Sequence, residues 1–195
     1  MGNDMHLDRR EAVTRLLRER GELLVVSGLG SATYDVAAAG DDPRNFYLWG
    51  AMGGTAAMAL GLALAQPERP VLAITGDGDM LMGVGTLATI GAVQPKNLSV
   101  VVLDNERYGE TGAQMTATAH GIDLSGIARA SGFEAMDDIR DMNAVGTLAA
   151  RLHRMEGPLY ATIKIDRRDY AKVLPARDGA WLRSRFREAV LGKAP

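Results

Sequence analysis

Apolar runs of strand length alternate with amphipathic stretches along most of this chain. Segments 23–26, 71–74, 98–103 and 159–165 are rich in Val, Ile and Leu and predict buried strands of a parallel sheet. Segment 45–49 predicts a further short strand. Apolar residues at helical spacing predict helices over 9–20, 32–39, 53–66, 80–93, 124–130, 142–155 and 180–191. This alternation predicts an α/β fold: a single three-layer domain with a mostly parallel sheet and helices on both faces.

Length and composition agree with a single domain. The 195 residues fall in the usual range for one domain, which we expect to span residues 1–195, with residues 1–8 as a flexible tail. The formal net charge of −2 gives no reason to expect nucleic acid or an anionic membrane as a partner. The absence of cysteine excludes disulfides, thiolate zinc sites and cysteine nucleophiles. A polar start and the lack of a long apolar span predict a cytoplasmic protein.

Two strand ends carry the candidate chemistry. Gly76, Asp77 and Gly78 follow the predicted strand 71–74, and Asn105 follows the predicted strand 98–103. The carboxyl ends of parallel strands share one edge of the sheet, where open α/β folds bind ligands, so we expect Asp77 and Asn105 to lie side by side. A carboxylate and an amide oxygen suit Mg²⁺ and leave coordination positions for a phosphate. The glycines allow close backbone approach, and the next helix directs its N-terminus at an anion. The sequence therefore predicts a metal-bridged diphosphate.

A second glycine-rich turn has competing interpretations. Gly28-Leu29-Gly30 follows a predicted strand, as in a dinucleotide-binding fingerprint, but Thr33 replaces the third glycine and the next strand does not end in an acidic residue. No Gly-Lys-Ser/Thr sequence follows a glycine-rich turn, so a P-loop is absent. Two interpretations remain equally good: this turn contacts the diphosphate, or it is a tight strand-to-helix connection.

The spacing of the metal motif resembles a known cofactor motif. Twenty-five residues, 79–103, separate Gly78 from Asp104-Asn105, similar to the Gly-Asp-Gly to Asn spacing of thiamine diphosphate-dependent enzymes. An ordinary strand–helix–strand unit with turn glycines is the alternative. The resemblance implies a diphosphate-binding domain with thiamine diphosphate and Mg²⁺ as cofactors. It implies Mg²⁺ ligands from the side chains of Asp77 and Asn105 and from the backbone carbonyl of Arg107. The residues it implies for cofactor binding are Gly50, Met52, Gly76, Asp77, Gly78, Asp79, Asn105, Tyr108, Gly109, Glu110 and Thr111.

Residues 49–54 resemble a segment of thiamine diphosphate-dependent decarboxylases, which contacts the aminopyrimidine ring of the cofactor. The resemblance implies that the Gly50 carbonyl accepts a hydrogen bond from the ring's amino group. It also implies that Met52 lies beneath the bent cofactor, although methionine is a common core residue and plain packing is the alternative. Glu106-Arg107 departs from the family, in which a small residue is common in this loop.

The family also needs a glutamate on the pyrimidine ring, which a separate domain supplies. Since this chain has room for the diphosphate-binding half only, the resemblance implies a pyrimidine-binding α subunit as partner and an α₂β₂ or larger assembly. Within the family, segments 45–67, 85–98 and 104–112 resemble β subunits of sulfopyruvate decarboxylase, and almost as well the C-terminal half of phosphonopyruvate decarboxylases. The expected reaction converts 3-sulfopyruvate to sulfoacetaldehyde and CO₂, with phosphonopyruvate or another short 2-oxo acid as the alternative substrate.

Three roles stay open in the sequence. Thr111 and His120 are candidate catalytic residues, although His120 without a role is the simpler interpretation. The Arg107 guanidinium is a candidate for the substrate's second anionic group, with a solvent-facing arginine as the alternative. A non-catalytic domain that binds or senses thiamine diphosphate is the alternative of another class.

Overall fold

A computed structural model describes residues 6–192 and shows one six-stranded parallel sheet with helices on both faces. The strand order is β2-β1-β3-β4-β8-β7. The sheet strands are β1 (Leu24–Ser27), β2 (Asn45–Tyr47), β3 (Val71–Gly76), β4 (Leu98–Asp104), β7 (Glu134–Ala135) and β8 (Leu159–Lys164). A separate antiparallel hairpin is formed by β5 (Arg107–Tyr108) and β6 (Gln114–Met115). The α/β architecture predicted from the sequence is confirmed.

The helices lie between the strands in sequence. They are α1 (Arg9–Leu17), α2 (Ser31–Ala38), α3 (Thr55–Ala65), α4 (Asp77–Met82), α5 (Gly85–Val93), α6 (Leu124–Ala130), α7 (Met142–Arg151) and α8 (Gly179–Leu191). A 3-10 helix spans Ala117–His120. None of the helices described within residues 6–192 is long and apolar enough to cross a membrane.

The strands bury side chains on both faces, which explains their apolar sequences. Successive side chains of a strand point to opposite faces. In β3, Leu72 and Ile74 belong to a core with α1, α2 and α7, whereas Val71 and Ala73 belong to a second core with α3, α5 and α6. A strand covered on both sides needs no polar alternation, so the apolar runs locate the strands without showing which face each residue takes.

The helix predicted over 80–93 is instead two helices, and this prediction was wrong. Helix α4 begins at Asp77, and the chain breaks after Met82 before α5 starts at Gly85. A Cβ atom at Gly83 would lie 2.1 Å from the Gly53 carbonyl oxygen, so the turn that follows α4 packs directly on the 51–54 turn. This contact of two backbone segments, which are remote in sequence, explains the break.

The start of the chain is more ordered than predicted. Leu7 pairs with Ile165 beside the sheet, and Asp8 caps α1 by accepting hydrogen bonds from the N–H groups of Arg10 and Glu11, each at 3.0 Å. The predicted tail of residues 1–8 is therefore wrong for residues 7 and 8. Residues 1–5 lie outside the described residues.

Candidate active site at the carboxyl edge of the sheet

The two predicted metal-binding segments leave the sheet from neighbouring strands. Strands β3 and β4 are parallel, and Gly76 at the end of β3 is paired with Leu103 near the end of β4. Asp77 and Asn105 therefore emerge at the same edge, as the sequence predicts. A cavity of about 360 Å³ opens there. The predicted site residues that line it are Met52, Gly76, Asp77, Gly78, Asp79, Asn105, Arg107, Tyr108, Gly109, Glu110 and Thr111.

Asp77 is the buried carboxylate of this cavity. It is 1% exposed, and burial raises the pKa of its carboxyl to about 6. The neighbouring Asp104 raises this pKa further, whereas hydrogen bonds from Thr116 and Thr118 oppose the shift. Desolvation penalises the carboxylate anion, and a divalent cation in the cavity would offset that penalty. The donor chemistry at this position fits Mg²⁺.

The segment 105–107 offers two more oxygen ligands. Asn105 lines the cavity, and its Oδ1 accepts a hydrogen bond from the Arg107 N–H at 3.0 Å, which fixes the turn. The Thr116 N–H donates to the Glu106 carbonyl at 3.2 Å, and Arg107 is paired with Met115. Arg107 is therefore a non-hydrogen-bonded position of the hairpin, which leaves its carbonyl outside the ladder and able to bind a metal.

No group of three or more acidic or histidine side chains that could hold a metal by themselves lies within residues 6–192. The three predicted ligands include a backbone carbonyl and an amide, so this finding agrees with a metal that also depends on the ligand's phosphate oxygens.

Glu106 has an unusual backbone conformation in the predicted metal-binding loop. Its backbone φ is +61°, in the left-handed region that side chains other than those of Gly, Asn and Asp rarely adopt. The Glu106 carboxylate is paired with Arg167 and lies 4.0 Å from Lys164. Glycine would adopt this conformation without strain, so these ion pairs accompany a backbone conformation that costs free energy.

Asp79 lines the cavity, but its carboxylate is used within the protein. It accepts a hydrogen bond from Thr55 Oγ1 at 2.6 Å and others from Thr75 Oγ1 and the Gly53 N–H. These bonds tie the 51–54 turn to the start of α4. That Asp79 binds the cofactor stays a prediction, and its carboxylate oxygens already accept three hydrogen bonds within the protein. Only its backbone N–H, in the first turn of α4, remains as a donor toward the cavity.

Close contacts explain two glycines of the site. A Cβ atom at Gly78 would lie 2.5 Å from the Tyr108 ring, and one at Gly28 would lie 2.4 Å from Asp79 Oδ2. Gly30 has a φ of +76°, which favours glycine. The Gly28–Gly30 turn is thus required for packing, while its neighbours Leu29, Ser31 and Ala32 line the cavity. The tight strand-to-helix connection is therefore observed, and contact of this turn with the diphosphate stays a prediction.

The remaining predicted residues differ in their positions. Met52 is half-buried at the cavity wall, in a turn where Ala51 has a φ of +55° and the Gly54 N–H donates to the Ala51 carbonyl at 2.8 Å. Gly50 is exposed and does not line the cavity. Its role toward a pyrimidine ring stays a prediction.

The two catalytic candidates are also separated. Thr111 lines the cavity, and its hydroxyl donates to Gln114 Oε1 at 3.0 Å. His120 is exposed at the end of the 3-10 helix and does not line the cavity, so the structure gives no support to the catalytic role proposed for it.

Sequence reasoning assigned Met82 to the core or the cofactor lining, and it missed the wall residues Leu103, Gln114 and Ile165. Ile165 directly follows β8, the neighbour of β4 in the sheet. The rule that ligands bind at the carboxyl ends of parallel strands was a signal that could have identified it. Met82 and Gln114 reach the cavity through the helix break and the hairpin, for which the sequence had no signal.

The cavity wall has a mixed charge. Asp77 and Glu110 contribute carboxylates, and Lys172 lies 3.7 Å from the Glu110 carboxylate. Arg107 is the cationic residue among the described residues that line the cavity. A role of its guanidinium in binding an anionic substrate group stays a prediction.

Comparison with known proteins agrees with this geometry. Residues 28–160 match the model of the thiamine pyrophosphate enzyme family, C-terminal TPP binding domain. The chain is 39% identical over 161 residues to sulfopyruvate decarboxylase subunit beta of Methanothermobacter thermautotrophicus, and the match covers 83% of each protein. It is 37% identical to phosphonopyruvate decarboxylase of Streptomyces viridochromogenes, over 79% of this chain and 38% of the relative.

Solved structures show the same fold. A thiamin diphosphate-dependent enzyme from Mycobacterium smegmatis superposes with a TM-score of 0.71 at 20% identity, over 83% of this chain and 32% of that one. The chain therefore spans most of the beta subunit that it matches, but about a third of the larger enzymes.

Proposed function

Because this chain belongs to the thiamine pyrophosphate enzyme family, we propose that it is the diphosphate-binding subunit of a split 2-oxo acid decarboxylase that uses thiamine diphosphate and Mg²⁺. The observation that carries the proposal is the cavity where Asp77 and the 105–107 segment meet. Asp77 and Asn105 would hold Mg²⁺ through their side chains and Arg107 through its carbonyl. The bound cofactor supplies the electron sink that decarboxylation of a 2-oxo acid requires.

The proposed substrate is 3-sulfopyruvate, which would give sulfoacetaldehyde and CO₂. The match to a sulfopyruvate decarboxylase subunit beta over 83% of both proteins supports it. The Arg107 guanidinium would bind the sulfonate, the second anionic group of this substrate. Phosphonopyruvate is the second candidate, since the chain is 37% identical to a phosphonopyruvate decarboxylase and the same guanidinium suits a phosphonate.

A pyrimidine-binding partner would complete the site, and exposed apolar side chains support its presence. Helix α3 contacts both α4 and α5, and together they expose Met58, Leu64, Met82 and Val93. Large apolar patches at a surface mark interaction sites. Met82 is 61% exposed and also lines the cavity, so a partner covering this face would reach the cofactor. We propose that the partner supplies the glutamate for the pyrimidine ring, within an α₂β₂ or larger assembly.

A substrate panel tests the proposed reaction. The chain is co-expressed with its pyrimidine-binding partner, and aldehyde formation is followed for sulfopyruvate, phosphonopyruvate and pyruvate. We expect turnover of sulfopyruvate. Turnover of phosphonopyruvate alone would favour the second candidate. Tight binding of thiamine diphosphate without turnover of any 2-oxo acid would favour the non-catalytic alternative.

A calorimetric experiment tests the metal site. Asp77→Ala should abolish Mg²⁺-dependent binding of thiamine diphosphate by the complex, because it removes the anionic ligand of the site. Asn105→Ala should weaken binding less, since a neutral ligand contributes less electrostatic stabilisation. Asp137→Ala, which removes an exposed carboxylate outside the cavity, is the control. Undiminished affinity of the Asp77 variant would refute the assignment.

A cytoplasmic location stays a prediction, which cell fractionation tests.

A further inference from the structure

A buried ion pair lies directly behind the metal-binding segments. Lys164 ends β8 and Asp104 ends β4, and the two residues are partners in the parallel register. Lys164 Nζ lies 2.6 Å from Asp104 Oδ2, with the two side chains 10% and 1% exposed. A buried carboxylate that lost this cation would be left with an uncompensated charge.

Asp104 connects this pair to the metal-binding residues. Its Oδ1 accepts hydrogen bonds from the Glu106 N–H and from Thr118 Oγ1, both at 2.9 Å. The first bond fixes the turn that begins with Asn105. The second fixes Thr118, whose hydroxyl oxygen also lies 3.2 Å from Asp77 Oδ2.

The Thr118 hydroxyl is therefore placed between two buried carboxylates, although it has one proton to donate. Thr116 Oγ1 lies 2.9 Å from Thr118 Oγ1 and is also hydrogen-bonded to Asp77. The hydroxyl groups of Thr116 and Thr118 thus provide hydrogen bonds to Asp77 and Asp104. Lys164 compensates the charge of Asp104. Asp104 therefore competes less with Asp77 for the proton of the Thr118 hydroxyl, and the two hydroxyl groups can position Asp77.

We propose that Lys164 is a positioning residue for the metal site: by holding Asp104 it fixes Thr118 and the 105–107 turn, and through them Asp77 and Asn105. This inference rests on the proposed function, in which Asp77 and Asn105 bind Mg²⁺. Lys164 does not line the cavity at the carboxyl edge of the sheet. Asp104 is the carboxylate nearest to its ammonium group, since Asp138 and Glu106 lie farther away, at 3.8 and 4.0 Å.

The test compares Lys164→Met with a substitution that removes a cation from a buried carboxylate outside the cavity. Arg9→Met removes one of the two arginines next to Asp35, a fully buried carboxylate that keeps Arg10 at 3.3 Å, and neither Arg9 nor Asp35 lines the cavity. Both variants should lower the melting temperature. Loss of a group that orients a metal ligand typically costs 10- to 100-fold in metal affinity, so Lys164→Met should raise the Mg²⁺ concentration for half-saturation of thiamine diphosphate binding by about that factor. Arg9→Met should leave it unchanged.

The double variant Lys164→Met/Asp104→Asn keeps the test valid if the single variant unfolds. An asparagine at 104 can still accept from Thr118 and Glu106 without a buried charge, so most of the Mg²⁺ affinity should return. Equal effects of Lys164→Met and Arg9→Met on Mg²⁺ affinity, or a double variant that folds but does not regain it, would overturn the inference. If Asp77→Ala retains full Mg²⁺-dependent binding, the proposed function itself fails, so the two failures are distinguishable.

Discussion

Asp77 and Asp79 lie two residues apart in the first turn of α4, but their surroundings give them different roles. Asp79 accepts three hydrogen bonds from Gly53, Thr55 and Thr75, so its charge is stabilised within the protein. Asp77 is equally buried, but its pKa is raised to about 6. Of the two carboxylates, Asp77 is the one whose anion needs an external cation.

The raised pKa of Asp77 predicts a trade between stability and metal binding. Without a divalent cation, between pH 3.8 and about 6 the Asp77 carboxyl is protonated in the native state but ionised in the unfolded state. The contribution of Asp77 to the free energy of unfolding therefore falls as pH rises through that window. A shift of about two units corresponds to about 3 kcal/mol at most. Asp77→Asn should therefore stabilise the metal-free protein by about 1–3 kcal/mol at pH 7 and abolish Mg²⁺-dependent cofactor binding.

Urea denaturation without divalent cations at pH 4.5 and pH 7 checks this prediction. The advantage of Asp77→Asn over the wild type should be larger at pH 7, where the native Asp77 is ionised. Asp104→Asn is the contrasting variant, because it leaves Lys164 buried without its carboxylate and should destabilise the protein. A difference between Asp77→Asn and wild type that does not change with pH would contradict the prediction.

Gly28 provides a second prediction at the residue scale. A Cβ atom there would lie 2.4 Å from Asp79 Oδ2 and 2.7 Å from Thr55 Oγ1, so Gly28→Ala should displace the Asp79 hydrogen bonds and cost about 1–3 kcal/mol. Gly61→Ala is the control, since it lies within α3 with no atom near the new Cβ and should stabilise the protein by about 0.5–1 kcal/mol. Chemical denaturation of both variants measures these changes. Equal stability of the two variants would show that the packing at Gly28 is unimportant.

The sequence could identify Asp77 and Asn105 because each follows an apolar run that ends at the same edge of a parallel sheet. It could not show that the Asp79 carboxylate is hydrogen-bonded within the protein, since the partners of Asp79 come from α3 and β3 and meet only in the folded protein. The role of Gly28 depends on the same tertiary contact. Local sequence thus predicts which residues arrive at the site, and long-range packing decides which of them remain available to a ligand.

At the scale of elements, the strands with long apolar runs and the helix α6 (Leu124–Ala130) were predicted well, because burial and helical periodicity are encoded locally. The edge strand β7 and the hairpin of β5 and β6 were not predicted. Each has two residues per strand, too few for a period to show. The hairpin lies within the stretch 104–121, in which no helix or strand is predicted from the sequence.

Gly83, in the break between α4 and α5, packs against the 51–54 turn, and its substitution provides a prediction. Gly83 has an ordinary negative φ of −107°, so alanine is tolerated by the backbone there, but its Cβ would lie 2.1 Å from the Gly53 carbonyl oxygen. Gly83→Ala should push away the 51–54 turn that carries Met52. We expect a loss of about 1–3 kcal/mol of stability together with weaker binding of thiamine diphosphate.

Gly85→Ala is the matched control for this prediction, two residues away at the start of α5, where no atom lies within 4 Å of the new Cβ. Denaturation and calorimetry should show little change for Gly85→Ala. Normal cofactor affinity in Gly83→Ala would mean that the 51–54 turn does not contribute to the site.

For the whole molecule, helix α3 is the main indication of assembly. None of its eleven residues is charged, and it lies at the surface with Met58 and Leu64 exposed. A surface helix of a monomer normally carries a polar outer face. The apolar face of α3 continues over Met82 to the cavity, which is what a site completed by a second polypeptide requires.

Because a second polypeptide is expected to complete the site, the isolated chain should be inactive although it associates with itself. Purified with Mg²⁺ and thiamine diphosphate, it should form dimers and show no turnover of sulfopyruvate, which the pyrimidine-binding partner should restore. Leu64→Lys should weaken binding of the pyrimidine-binding partner at least about tenfold, because burying a leucine side chain contributes roughly 1.5–3 kcal/mol. Leu191→Lys, a similarly exposed leucine on α8, is the control and should associate like the wild type. Light scattering after size exclusion measures the assembly, and turnover by the isolated chain without any partner would refute the split site.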